Sequence, residues 1–208
     1  MRHRRHGRTL GRAPSHRRAL LRNLASALFI TERPESALDV NAPKVKGRII
    51  TTVAKAKEVR PMVEKCITIA KKGVAAQKAA AEFGSQAERN SAEWKKWREG
   101  PNHAKWVAAV APAVTARRRL IQILCDKQAV DILFNELAEH FEDRPGGYTR
   151  IMRLATPRLG DNGPRAILEF VGRNDRVVAR SPKPDFGGDE TSPEAADSTP
   201  DASAPASE

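Results

Sequence analysis

The sequence is poor in cysteine and in aromatic residues, and it lacks a long apolar run. Cys66 and Cys125 lie 59 positions apart without a Cys-x-x-Cys pair, which excludes a cysteine-based zinc site and a disulfide framework and indicates two buried thiols in a reducing compartment. Only ten of the 208 residues are aromatic, so a modest core without a large enzyme cavity is expected. No run approaches the roughly 20 apolar residues that cross a bilayer, so a cytoplasmic protein without a membrane partner is expected.

Positive charge dominates the chain except at its C-terminal end. Lys and Arg number 37 against 25 Asp and Glu, a formal net charge of +12, and the pI is about 10.2, which indicates a polyanionic partner. Residues 181–208 carry one Lys and seven acidic residues, so they are expected to form a disordered acidic tail. Residues 1–180 carry 36 basic and 18 acidic residues and are expected to form one nucleic-acid-binding domain.

The N-terminal segment is rich in arginine and has few large apolar side chains. Eight arginines and three histidines precede the first acidic residue, Glu32. They are Arg2, His3, Arg4, Arg5, His6, Arg8, Arg12, His16, Arg17, Arg18 and Arg22. Because such a segment cannot bury enough surface to offset its ordering entropy, residues 1–14 are expected to be an extended basic arm that becomes ordered on a phosphate backbone.

Apolar periodicity and turn signals predict an α+β protein. The predicted elements begin with a helix over 15–29, with Ser15 as its N-cap, a loop over 31–47 and a strand over 48–52. A helix over 53–73 follows, which Pro61 kinks or divides and Gly73 ends. Short helices and a turn are expected over 74–114, where Trp94 and Trp97 are interpreted as anchors of a helix to its own protein rather than as stacking platforms for bases. The order ends with a helix from 115, a helix that follows Asp126 and ends before Pro145, and strands over 148–154 and 165–171. The last two strands are expected to pair as an antiparallel hairpin. Helices on one face of a small sheet, a two-layer α/β arrangement, are the simplest packing.

Basic residues fall at the predicted N-termini of three helices, where the helix dipole disfavours an exposed cation by about 0.3 to 1 kcal/mol. A bound phosphate would reverse this cost, because it meets both the dipole and the side chain. The sequence therefore predicts several phosphate sites. Their residues are Arg17 and Arg18 after Ser15, Lys55 after Thr52, and Arg117, Arg118 and Arg119 after Thr115.

Signatures of catalysis and of cofactor binding are missing. There is no Gly-x-x-x-x-Gly-Lys-Ser/Thr loop and no Gly-x-Ser-x-Gly elbow, and Asp161 is interpreted as a partner within a turn rather than as a catalytic acid. A free amine at Met1 with His3 would offer four nitrogens to Cu(II) or Ni(II), although phosphate contact explains these residues better. The sequence therefore predicts no enzyme, no cofactor and no small-molecule substrate.

Four sets of motifs occur in a specific order along the chain. They are Met1-Arg2-His3 with Gly7-Arg8 and Arg22-Asn23-Leu24-Ala25, Thr51-Thr52 with Ala54-Lys55-Ala56-Lys57-Glu58, Arg117-Arg118 with Leu133-Phe134, and Gly146-Gly147-Tyr148-Thr149-Arg150-Ile151 with Gly160-Asp161-Asn162. Residues 1–30, 48–73 and 115–174 thereby resemble the bacterial large-subunit ribosomal protein seventeen family. The resemblance implies a structural protein of the large ribosomal subunit in the cytoplasm, which binds 23S ribosomal RNA, touches neighbouring ribosomal proteins and supports subunit assembly and translation.

The resemblance also divides the chain into shared and added parts. It implies the order helix, strand, three helices and a two-stranded hairpin, with 31–47 and 74–114 as insertions. Together with the residue-based argument it gives the predicted RNA-binding set. This set is Arg2, His3, Arg4, Arg5, His6, Arg8, Arg12, His16, Arg17, Arg18, Arg22, Lys55, Lys57, Arg117, Arg118, Arg119, Tyr148, Arg150, Arg153 and Arg158. A nucleoid-type DNA-binding protein and, less favoured, an RNA-modifying enzyme are the alternatives.

Overall fold

A computed structural model describes residues 7–33 and 43–172 of the chain. These residues form five helices and three strands. The helices are α1 (Pro14–Ile30), α2 (Val53–Ala81), α3 (Ala92–Glu99), α4 (Pro101–Leu124), α5 (Lys127–Ile132) and α6 (Ala138–His140), and a π-helical segment (Leu133–Leu137) joins α5 to α6 without a break. The strands are β1 (Arg48–Thr52), which lies between α1 and α2, and β2 (Thr149–Arg153) and β3 (Arg165–Phe170), which follow α6. The α+β class is confirmed. Counting α5 to α6 as one helix, four helices rather than three separate β1 from the hairpin.

The N-cap of α1 lies two residues before the predicted N-cap, Ser15. It is Ala13, which makes no side-chain capping bond, and Pro14 occupies the first helical position, where its fixed φ suits a helix and its missing N–H is not needed. Ser15 therefore lies inside the helix, and its predicted capping role is wrong. The buried face of α1 includes Leu28 and Phe29.

The end of α1 is tied to the segment that leads into β1. The Thr31 hydroxyl donates to the carbonyl of Leu28 at 2.6 Å and accepts from the amide of Gly47 at 3.1 Å. Gly47 has a φ of +73°, a left-handed conformation that glycine adopts without a steric cost. Residues 34–42 of the predicted 31–47 loop, and the predicted acidic tail over 181–208, lie outside the described residues.

Helix α2 is longer than predicted, because neither of its expected breakers ends it. It runs through Pro61 to Ala81. Pro61 and Lys57 are both exposed, so water can serve the Lys57 carbonyl that the proline leaves without a donor. Gly73 is a close-packing position instead of a C-cap, since a Cβ built there would lie 2.8 Å from the Phe134 ring.

Helix α4 also starts well before the predicted Thr115. Gly100 is its N-cap and Pro101 its first residue, so residues 101–114 of the expected insertion are helical and extend the packing of α4 against α2. Trp97 joins this extension to α3, because its ring lies 5.6 Å from that of Trp106 and its indole N–H donates to the carbonyl of Phe83 at 3.0 Å. The predicted packing role of Trp97 is confirmed.

The last helical stretch starts where the sequence predicts. The Asp126 carboxylate accepts from the amides of Gln128 and Ala129 at 3.0 and 3.3 Å, which is an N-cap. Cys125 just before it has a φ of +58° and ends α4 in the left-handed region. Its side chain is exposed, whereas Cys66 is buried, so the predicted burial is confirmed for one thiol and wrong for the other.

The three strands form one antiparallel sheet in the order β1-β3-β2, and the predicted hairpin is confirmed by the pairing of β2 with β3. Side chains alternate between faces along a strand, so Ala166, Leu168 and Phe170 of β3 pack against the helices. The opposite face carries Ile50 and Met152, both exposed. The protein therefore has two layers, one of helices and one formed by the sheet, and the helices cover one face of the sheet.

Candidate nucleic-acid interface

A basic groove runs between the first half of α2 and the edge of the sheet at β2. It has a volume of about 840 Å³, and α2 contributes one side and β2 the other. Its charged lining residues are Lys57, Arg60 and Glu64 from α2 and Arg150 and Arg153 from β2. Arg150 alternates with Ile151 along β2 and is paired with Glu169, so its side chain lies on the sheet face opposite the helices. The other three cations and the one carboxylate give the groove a net positive charge.

Strand β2 presents unpaired backbone as well as cations to this groove. The amide of Leu154 donates to the carbonyl of Arg165, and the carbonyl of Tyr148 accepts from Val171, both at 3.0 Å. In an antiparallel ladder alternate residues bond to the same neighbour. The backbone groups of the intervening residues, including those of Ile151, therefore point away from β3, and β2 is an edge strand in the described sheet.

Two of the four cations are neutralised within the protein. Arg60 pairs with Glu64 at 3.2 Å, and the same Glu64 carboxylate accepts from the hydroxyl of Thr149 at 3.0 Å. Arg150 pairs at 2.5 Å with Glu169, whose side chain is nearly fully buried. The side chain of Arg60 is about half exposed and that of Arg150 more than a third exposed, so both remain accessible from the solvent.

Lys57 and Arg153 are the free cations of the groove. Both are exposed, and neither lies within ion-pair distance of a carboxylate among the residues that the structure describes. An ammonium and a guanidinium with no internal partner lose no ion pair when they contact a phosphate. The groove therefore combines free cations, cations held in place, and edge amides, all of which suit an extended polyanion.

The described part of the basic arm is held against α2. Arg8 pairs with Glu58 of α2 at 3.4 Å, and Arg12 donates to the carbonyl of Leu10 at 2.9 Å, within a turn. Arg2, His3, Arg4, Arg5 and His6, together with the possible Met1 and His3 metal site, lie outside the described residues. An extended arm over 1–14 therefore stays a prediction, and residues 7–13 contain a turn.

Only some of the cations that were predicted at helix N-termini lie there in the structure. His16 occupies the first turn of α1, while Arg17 is the fourth helical residue and Arg18 and Arg22 lie further along. Arg17 and Arg18 were expected in the first turn because the predicted helix start, after Ser15, was wrong. Lys55, in contrast, is the third residue of α2, which confirms its position at a helix N-terminus.

Arg117, Arg118 and Arg119 do not lie at a helix N-terminus, because α4 starts at Pro101. The predicted phosphate site at the start of a helix is wrong for these three residues. Arg117 pairs with Asp131 at 2.5 Å, and its guanidinium lies 4.6 Å from the centre of the Phe134 ring. It therefore helps to fix α4 against the last helical stretch.

Tyr148 and Arg158 have structural contacts of their own. Tyr148 is 2% exposed, and its ring packs 5.1 Å from Phe141, so it offers no open face to a nucleobase. Arg158 donates from Nε to Asp161 at 2.8 Å and holds the pKa of that carboxyl well below its usual range. The amide of Gly163 also donates to Asp161 at 3.3 Å, which confirms the predicted turn role of the aspartate.

The groove also contains a residue that the sequence did not single out. Arg60 lies three positions after Lys57 on α2, and residues three apart share one face of a helix, which is the signal that could have found it. Within 7–33 and 43–172, no group of three or more potential metal ligands occurs, and no helix is both long and apolar enough to cross a membrane.

Comparison with known proteins decides the family. The model of the family described as Ribosomal protein L17 matches residues 20–171. The chain belongs to the ribosomal protein L17 family. Membership makes this L17-family chain a structural component of the ribosome rather than an enzyme, and it places the chain with the ribosome in the cytoplasm.

Individual relatives support the same family over nearly the whole chain. The large ribosomal subunit protein bL17 of Rhodopirellula baltica is 59% identical over 204 residues, which cover 98% of this chain and 95% of the relative. The bL17 proteins of Desulfovibrio desulfuricans and Desulfotalea psychrophila are each 35% identical, over 88% and 86% of this chain and 76% and 96% of their own lengths. The resemblance noted in the sequence is therefore confirmed.

Proposed function

We propose that this protein is a constituent of the large ribosomal subunit that binds 23S ribosomal RNA through the groove between α2 and β2, and that it thereby supports subunit assembly and translation. The observation that carries the proposal is the convergence of Lys57, Arg60 and Arg153 on one groove, with the partly exposed Arg150 on the same edge strand. Its relatives' name, large ribosomal subunit protein bL17, supports the same assignment.

The chemistry of the groove favours a folded RNA over a small anion. Cations arranged along a helix and an edge strand match the repeated phosphates of a nucleic-acid backbone, and contacts of this kind position a protein without reading sequence. A-form RNA is recognised largely through phosphate and 2′-hydroxyl contacts, which the edge amides and guanidinium groups can make. The arm over 1–14 and Lys55 extend the predicted contact, and neighbouring ribosomal proteins are the other proposed partners.

The experiment measures how the affinity for large-subunit ribosomal RNA depends on salt. Each phosphate contact contributes roughly 0.7 to 0.9 to the slope of log K against log salt. The variant Lys57→Gln, Arg60→Gln, Arg153→Gln should therefore lower the slope by about 2 to 3 if all three groups contact phosphate. An unchanged slope in a folded variant would remove this groove from the RNA interface.

A matched control keeps the same change in charge away from the groove. Lys95, Lys96 and Lys105 are exposed cations on α3 and α4, and their replacement by Gln should leave the slope unchanged. A duplex DNA of equal length tests the nucleoid alternative. Binding to this DNA as tight as to ribosomal RNA would contradict the proposal.

A further inference from the structure

A second groove, different in character, lies between α2 and α4. It has a volume of about 540 Å³, and its walls are mostly apolar. Trp106, Val110 and Val114 of α4 line it together with Phe134 of the π-helical segment and Ala81 of α2. None of these side chains is needed by the RNA groove, which lies along the first half of α2.

Helix α4 exposes an apolar stripe along this groove. Val107, Val110, Val114 and Ile121 recur at spacings of three, four and seven residues, so they share one helix face. Val107 is 47% exposed and Val114 is 40% exposed. Val110 and Ile121 are partly exposed, and Val107 continues the stripe beyond the residues that line the groove. A contiguous apolar row that reaches the solvent marks an interaction surface. From Val107 to Ile121 the stripe measures about 21 Å, four turns of helix.

The edge of the groove carries positive charge only. Arg117 forms part of the wall, where it is paired with Asp131, whereas Arg118 is exposed and has no carboxylate at ion-pair distance among the described residues. Helix α4 contains no acidic residue from Pro101 to Leu124. Two α4 helices packed on each other would therefore bring like charges together, which disfavours a second copy of this chain as the occupant.

We propose that the α2/α4 groove is a docking site for an amphipathic helix of a neighbouring protein, with an apolar face for the valine stripe and acidic residues beside it for Arg118. A helix laid into an apolar groove through residues three and four apart is a common mode of recognition. Trp106, which is partly exposed, supplies an aromatic wall of the kind that is enriched among residues that dominate binding energy. This partner is distinct from the RNA of the proposed function and does not depend on it.

The first experiment identifies the class of occupant in the assembled particle. A photoreactive amino acid replaces Val114 in the full-length protein, and a second preparation carries it at Lys57 in the RNA groove. In purified large subunits we expect position 114 to cross-link to a protein segment with apolar residues at helical spacing and flanking acids. Cross-links from position 114 to RNA or to a second copy of this chain, to a protein segment without that pattern, or to nothing would each overturn the proposal. RNA cross-links from position 57 test the proposed function separately.

The second experiment tests the chemistry with synthetic probes. Two 21-residue helical peptides carry Leu at heptad positions and either Glu or Lys beside them, and binding to the full-length protein is followed by tryptophan fluorescence. The Glu peptide should bind more tightly, Val114→Asp should weaken it about tenfold, and Arg118→Glu should reverse the preference. Leu159→Asp, a change at an exposed residue outside the groove, should alter neither. Equal binding of the two peptides, or no effect of the changes at 114 and 118, would refute the docking site.

Discussion

The packing of α2 against the last helical stretch makes a sharp prediction at Gly73. Gly73 is buried inside α2, and a Cβ there would lie 2.8 and 2.9 Å from two carbons of the Phe134 ring and 3.0 Å from the Cβ of Ala116. Real Cβ atoms essentially never approach other atoms this closely. The ring also contacts the guanidinium of Arg117, which lies 4.6 Å from the ring centre, so a shift of the ring would also disturb this contact.

Two opposing effects determine the stability of Gly73→Ala. Replacement of Gly by Ala in a helix interior stabilises it by about 1 kcal/mol, whereas overpacking of a core costs about 1 to 3 kcal/mol. Packing therefore outweighs propensity, and we expect the free energy of unfolding to fall by about 1 kcal/mol. Ala75→Gly, at an exposed interior position of the same helix, calibrates propensity alone and should also cost about 1 kcal/mol.

Urea unfolding followed by circular dichroism measures these changes. In the double variant with Phe134→Leu, the smaller side chain should relieve the overlap, so that Gly73→Ala costs less than it does alone. A Gly73→Ala protein that is about 1 kcal/mol more stable than the parent, as propensity alone requires, would refute the close-packing argument.

Three further predictions concern the cap, the thiols and the hairpin turn. Asp126→Ala should cost about 1 kcal/mol in urea unfolding, because it removes an N-cap. Cys125 should react with a disulfide reagent in the folded protein, whereas Cys66 should react only on unfolding, because burial raises the pKa of its thiol to about 12. In the unfolded chain the pKa of Cys66 is about 8.5. The free energy of unfolding should therefore fall as the pH rises above about 8.5. Arg158 depresses the pKa of Asp161, so the turn should be protected from hydrogen exchange at neutral pH and lose this protection as the pH falls below about 4. Asp161→Asn removes the charge and should abolish this pH dependence, although its amide oxygen can still accept from the amide of Gly163.

Strong local signals account for the elements that the sequence predicted. The β-branched run over 48–52, the capping residue Asp126 and the dense turn signal over 160–164 each act within a few residues of themselves. The described fold contains a strand, a helix start and a hairpin at these positions. Such features need no knowledge of the tertiary structure, because backbone preference and local hydrogen bonds determine them.

The errors lie where tertiary contacts override local preference. A glycine after an apolar helical pattern usually ends the helix, but Gly73 is retained inside α2 because Phe134 approaches it closely. The alanine-rich segment over 74–114 has high helix propensity but little apolar periodicity, so its helices could not be assigned to a face. In the structure one helix runs from Pro101 to Leu124 and packs along α2, a tertiary contact that the sequence pattern does not specify.

The candidate interface shows the same division between local and tertiary information. Lys57, Arg150 and Arg153 were predicted as RNA-binding residues, and they line one groove with Arg60. The sequence could not bring them together, because Lys57 and Arg153 are 96 positions apart and meet only when β2 becomes the sheet edge beside α2. The orientation of the edge backbone follows from the pairing register, which a single sequence does not specify.

The early start of α4 changes the meaning of the three consecutive arginines. At a helix N-terminus, Arg117, Arg118 and Arg119 would point together at one phosphate. In the middle of a helix, successive residues are about 100° apart, so the three side chains diverge: Arg117 and Arg118 line the apolar α2/α4 groove, and Arg119 lines a separate groove with Lys65 and Lys72. A cluster that sequence reasoning treats as one phosphate site is thus divided between two surfaces, and their partners must be tested separately.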